Sequence, residues 1–88
     1  MDSKVDLKRE KIDKLDEQIL LLLNERANIS LDIRGIKKDS GKPIFDPKRE
    51  ELILQQLCKK NQGPLYNENI RDLFTHIMKI MRGLPDNE

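Results

Sequence analysis

The sequence predicts an all-α fold with three helices in each chain, one long and two shorter. Three observations carry this. Apolar residues recur at helical spacing through most of the chain. The four glycines and four prolines fall, Gly35 and Pro47 apart, in two breaks and near the C-terminus. Hydrophobic residues make up 36% and charged residues 38% of the chain, with aromatics at only 3%. That balance, joined to helical periodicity, suits a small helical protein rather than a disordered one. At 88 residues, positions 1–88 form one domain near the lower limit for a single core.

Helix 1 is expected from about Lys4 to about Lys38. Proline is absent from this stretch, and its one glycine, Gly35, lies near the end. Read in sevens, Val5, Ile12, Ile19, Arg26 and Ile33 form one column. Leu15, Leu22, Ile29 and Ile36 form a second. Together they make an apolar seam with one guanidinium set into it. A charge in such a seam is costly unless something anionic meets it. Either an acidic side chain or a ligand must therefore face Arg26.

Asp39-Ser40-Gly41-Lys42-Pro43 breaks the chain. Asp46-Pro47 then reads as an N-cap followed by proline at the first helical position. Helix 2 is expected over Pro47 to Asn61, with Leu52, Ile53, Leu57 and Cys58 facing inward. Asn61-Gln62-Gly63-Pro64 is the second break. Helix 3 starts near Asn67 and carries Ile70, Leu73, Phe74, Ile77, Met78 and Met81 on one stripe, before Gly83 and Pro85 end it.

These lengths bear on assembly. A helix of ~34 residues is ~50 Å long, whereas a compact globule of this size has a radius of gyration of roughly 12 Å. Helix 1 outruns its own domain, and its seam continues to Ile33 and Ile36. The overhang calls for a partner, most simply a two-fold homodimer with helix 1 packed on its copy. The competing expectation is a monomer with a broken helix 1.

Composition narrows the function classes. The net charge is +1 with acids and bases interspersed, which gives no global basic field for nucleic acid. The longest apolar run, Ile19 to Leu23, is too short to span a bilayer. The opening Met-Asp-Ser-Lys lacks an apolar signal region. Cys58, the single cysteine, has no partner for an internal disulfide. A cytoplasmic setting is expected.

Arg26 and Lys37 lie eleven residues apart, about three helical turns, and project from nearly one face. Alone, Lys37 reads as an exposed lysine favoured at a helix C-terminus. Paired with Arg26, it reads equally as half of an anion clamp. Asp46-Pro47-Lys48-Arg49-Glu50 opens helix 2 with free N–H groups and carboxylates close together. That arrangement can orient a hydroxyl-bearing ligand, or be plain capping. Arg9 lies roughly 25 Å before Arg26 along the same helix. It reaches an Arg26 site only from the other chain of an antiparallel dimer, and otherwise is a solvated arginine beside Glu10 and Asp13. His76 and Cys58 lack partners for nucleophilic catalysis. No phosphate loop or metal-ligand spacing is present, and no metal or cofactor is expected. Cationic groups with one or two carboxylates suit a small polyanion handled by positioning and electrostatics.

The chain resembles the all-helical class of chorismate mutases from about Leu7 to Leu84. The likeness rests on Lys8-Arg9-Glu10-Lys11-Ile12, Leu15-Asp16, Asn24-Glu25-Arg26, Lys37, Phe45-Asp46-Pro47-Lys48-Arg49-Glu50 and Gly63-Pro64-Leu65. It implies an intertwined helical homodimer with two active sites, and the Claisen rearrangement of chorismate to prephenate on the way to phenylalanine and tyrosine. It also implies roles. Arg26, and Arg9 from the other chain, clamp the two carboxylates. Lys37 donates to the ether oxygen. Glu50 and the backbone at Asp46 hold the ring hydroxyl, and Arg49 supports the carboxylate side.

Near the end of helix 3 the family commonly has a serine and, four residues later, a glutamine. This chain has Met81 and Pro85 there, neither able to donate a hydrogen bond, with Arg82 a substitute if the register shifts by one. That departure raises an alternative: a catalytically weak regulatory domain that binds chorismate or prephenate. Related chains occur fused to other shikimate-pathway enzymes. An isochorismate pyruvate lyase on the same scaffold ranks lower, because the Asp46–Glu50 segment looks more like the mutases. A ligand-free helical adaptor leaves Arg26 unexplained.

Overall fold

The computed structural model of the chain describes residues 3–86. It contains three helices: α1, Ser3–Ser40; α2, Pro47–Lys60; and α3, Asn67–Arg82. Among the described residues there is no strand, and no helix is long and apolar enough to cross a membrane.

Local chemistry sets each boundary. α1 ends in a Schellman arrangement: Gly41 adopts φ 73°, Lys42 N–H donates to Lys37 O at 2.9 Å and Gly41 N–H to Lys38 O at 3.3 Å. The left-handed backbone at Gly41 is available without a Cβ penalty. α2 begins as expected: the Asp46 carboxylate accepts from Arg49 N–H at 3.0 Å, with Pro47 in the first turn. Between α2 and α3, the Asn61 amide donates to Leu65 O at 2.7 Å and Asn67 Oδ1 at 3.0 Å. Its own oxygen accepts from Gly63 N–H. One side chain thus satisfies several groups of the turn. At the start of α3, Asn69 Oδ1 accepts from Tyr66 N–H at 3.0 Å.

α2 and α3 pack as an antiparallel pair. Cys58 Sγ donates to Asn67 O, Arg71 forms a fork on Glu51 at 2.8 and 3.1 Å, and Arg82 reaches Glu50. Contacts late in α2 are therefore early in α3. Leu54, Ile70, Met78 and Met81 form the buried core. Leu52, expected inward, is exposed, and Leu54 takes its place. Two residues are a rotation of about 200° on a helix, so the two leucines cannot share a face. Leu73 is likewise exposed; the apolar stripe of α3 is wider than the surface α2 and α1 cover.

α1 packs on α3, held there by hydrogen bonds from its C-terminal half. Arg34, 7% exposed, sends Nη2 to Met81 O at 2.6 Å and Arg82 O at 2.9 Å, and Nη1 to Leu84 O and Asp86. A buried guanidinium thereby occupies the carbonyl end of α3, where its charge is favoured by the helix dipole. The rest of α1 projects. The molecule measures 59 × 32 × 16 Å with a radius of gyration of 16.7 Å, well above the roughly 12 Å of a compact chain this long. Ile12, Leu15, Ile19, Leu22 and Ile29 remain 52–60% exposed.

Candidate active site

A cleft of about 130 Å³ opens where the C-terminal half of α1, the start of α2 and the end of α3 meet. Five of the six candidate residues line it: Arg26, Lys37, Asp46, Arg49 and Glu50. Helical geometry explains the α1 contribution. Arg26, Ser30, Arg34 and Lys37 stand at i, i+4, i+8 and i+11, one stripe on one face, and all four line the cleft.

The charges there are unevenly satisfied. Arg26 donates to Ser30 Oγ at 3.4 Å. Among the described residues Arg26, Lys37 and Arg49 have no carboxylate within ion-pair distance. The two carboxylates are already engaged: Asp46 caps α2, and Glu50 accepts from Arg82. The cleft therefore presents cations from two helices to whatever enters it. Of the two partners weighed for Arg26, no acidic side chain among the described residues meets it.

Arg9 lies elsewhere. It is near the N-terminal end of α1, 73% exposed and 3.8 Å from Asp6, outside the cleft.

Sequence reasoning missed Arg34, Ser30, Ile33, Ile44, Ile53 and Met78 as cleft residues. The i, i+4, i+8 spacing from Arg26 was the available signal for Ser30 and Arg34. Ile44 carries no such signal, since a loop position has no period. At the α3 end, Met81 lines the cleft, while α3 stops at Arg82 and leaves Pro85 beyond it. Arg82 lines the cleft as well, its guanidinium 4.4 Å from the centre of the Phe45 ring.

Known proteins resemble this chain in sequence and fold. The family described as chorismate mutase type II matches residues 8–84. The bifunctional chorismate mutase/prephenate dehydratase of Pseudomonas aeruginosa is 39% identical over 75 residues, covering 80% of this chain and 20% of that protein. The chorismate mutase of Methanocaldococcus jannaschii is 42% identical over 65 residues, covering 70% of this chain and 63% of that one. The chain thus spans about a fifth of the length of the bifunctional relative. Among solved structures, the chorismate mutase of Helicobacter pylori in complex with prephenate superposes with a TM-score of 0.85 at 37% identity. The match covers 92% of this chain and 88% of that one. With its three helices, its cationic cleft and this match over nearly its whole length, the chain belongs to the chorismate mutase type II family.

Proposed function

We infer that this protein is a chorismate mutase, converting chorismate to prephenate as residues 1–88 of a single domain in the cytoplasm. The observation that carries this is the meeting of Arg26, Lys37 and Arg49, none ion-paired among the described residues, in one cleft with Asp46 and Glu50. Chorismate carries two carboxylates, an enol-ether oxygen and a ring hydroxyl. Arg26 takes one carboxylate as a bidentate guanidinium partner, with Arg49 beside it. Lys37 donates to the ether oxygen, where negative charge grows as the C–O bond breaks and the C–C bond forms. A fixed cation there stabilises the transition state more than the ground state. Glu50 and the backbone at Asp46 hold the ring hydroxyl, keeping the side chain folded over the ring. The rearrangement occurs within one molecule, so no nucleophile or redox partner enters.

The second carboxylate needs another cation, and here the reading extends to a homodimer. The α1 seam is uncovered in the single chain, and Arg9 lies too far from Arg26 to serve its own cleft. An antiparallel copy of α1 covers the seam and brings Arg9 of the partner subunit toward the cleft. Loss of chorismate absorbance with purified protein, beside an Arg26→Ala control, tests the activity. Turnover abolished by the substitution supports the reading.

One observation favours a second reading. Met81 occupies the α3 side of the cleft and Pro85 lies past the helix, so neither donates to the ether oxygen. Chorismate binding without turnover is the result that selects a regulatory domain instead.

A further inference from the structure

Arg82 stands outside the substrate contacts assigned above, yet three contacts fix it in place. Its carbonyl accepts from Arg34 Nη2 at 2.9 Å, which ties its main chain to α1. Its Nη1 donates to Glu50 Oε2 on α2. Its guanidinium carbon lies over the ring of Phe45, in the loop between α1 and α2. The Arg82 and Glu50 side chains are 30% and 21% exposed, a setting in which a charge-assisted bond is strong. A lysine can reproduce the charge at this position but not a guanidinium's fork on a carboxylate together with its contact on the aromatic ring.

Glu50 is in the first turn of α2, on a side chain with several rotatable bonds. A carboxylate that must be ordered when ligand binds weakens binding by a factor of up to about ten. A carboxylate also repels a dianionic ligand unless its charge is balanced. Arg82 removes both difficulties: it fixes one oxygen of Glu50 before ligand arrives and offsets its charge at the cleft wall.

We propose that Arg82 is a positioning residue that acts through Glu50, setting how tightly the cleft holds the ring hydroxyl of its substrate. This rests on the chorismate reading above. Phe45 is part of the device, since its ring limits where the guanidinium can lie.

The test is a double-substitution cycle with Arg82→Gln, Glu50→Gln and the pair, read as KM and kcat for chorismate. Arg82→Gln alone is expected to raise KM by about tenfold with a smaller change in kcat. With Glu50→Gln already present, it is expected to add less than about twofold. Arg82→Lys should recover part of the loss, and Phe45→Leu should raise KM in the same direction by a smaller factor. An equal loss in both backgrounds, or an unchanged KM, overturns the proposal. Absence of turnover in the unaltered protein refutes the mutase reading instead. The same cycle read as chorismate affinity by calorimetry then decides the Arg82 question by the same criterion.

Discussion

Replacing Arg34 with methionine should be the most damaging single change to the fold. The substitution keeps a long, flexible side chain in the same space and deletes the guanidinium. In the native structure that group serves the carbonyls of Met81, Arg82 and Leu84. Water can reach the last two after the change, because those contacts are only part-buried. Met81 O is buried with its donor and keeps only the longer bond from Leu84 N–H at 3.4 Å. A hydrogen bond to a charged group is worth about 1.5–3 kcal/mol, and the buried one to Met81 O is lost outright while water only partly replaces the other two, so the total loss is about 3 kcal/mol. The Asp86 ion pair adds little, since that carboxylate is 53% exposed. With an unfolding entropy of about 2 cal/mol/K per residue, the loss lowers Tm by about 15 °C. The figure is the same per chain for a monomer or a two-fold dimer, because lesion and entropy both double. Far-ultraviolet circular dichroism at fixed protein concentration measures it. Lys38→Ala, which removes only an exposed contact to Asp86, serves as the control and should shift Tm by less than about 2 °C. An Arg34→Met melt within about 4 °C of the original would refute the reasoning, since it would mean that the α3 terminus is not held from α1.

Four further outcomes are expected. Lys37→Ala should lower kcat for chorismate by about 10²–10³, measured by loss of substrate absorbance. Leu22→Lys, in the exposed α1 seam, should give a monomer in sedimentation equilibrium, because it puts a charge into the apolar contact the proposed dimer buries. Arg9→Ala and Arg26→Ala should each be inactive alone, yet regain about a quarter of full activity when mixed and re-equilibrated. Half of the dimers are then mixed, and each has one intact site. The Glu51–Arg71 pair should make stability pH-dependent. Hydrogen bonds from Arg71 hold the Glu51 carboxyl below its ordinary 4.5. Its contribution is therefore complete above that value and lost as pH falls through the lowered one. The Tm difference between the original protein and Glu51→Gln should be full at pH 6 and shrink below about pH 4.5.

Much of this protein was legible in the order of its residues. The three helices fall where periodicity, Asp46-Pro47 and Gly41 place them, because caps and breakers act within a few residues of chain. Arg26 was conspicuous as the one charge in an apolar seam, and the stripe from Arg26 to Lys37 follows from helical geometry alone. The inward faces of α2 and α3 were less legible. Leu52 and Leu54 are chemically alike, and only the direction of approach of α3 decides which of them is buried.

What the sequence by itself determined was therefore local: helix limits, the overhang of α1, and the residue types able to bind a dianion. Only the tertiary structure decided the rest. It joined Arg34 to carbonyls some 50 residues away and set Arg82 between Glu50 and Phe45. Capping and periodicity depend on neighbours along the chain, whereas a guanidinium chooses partners by what packing brings within about 3 Å.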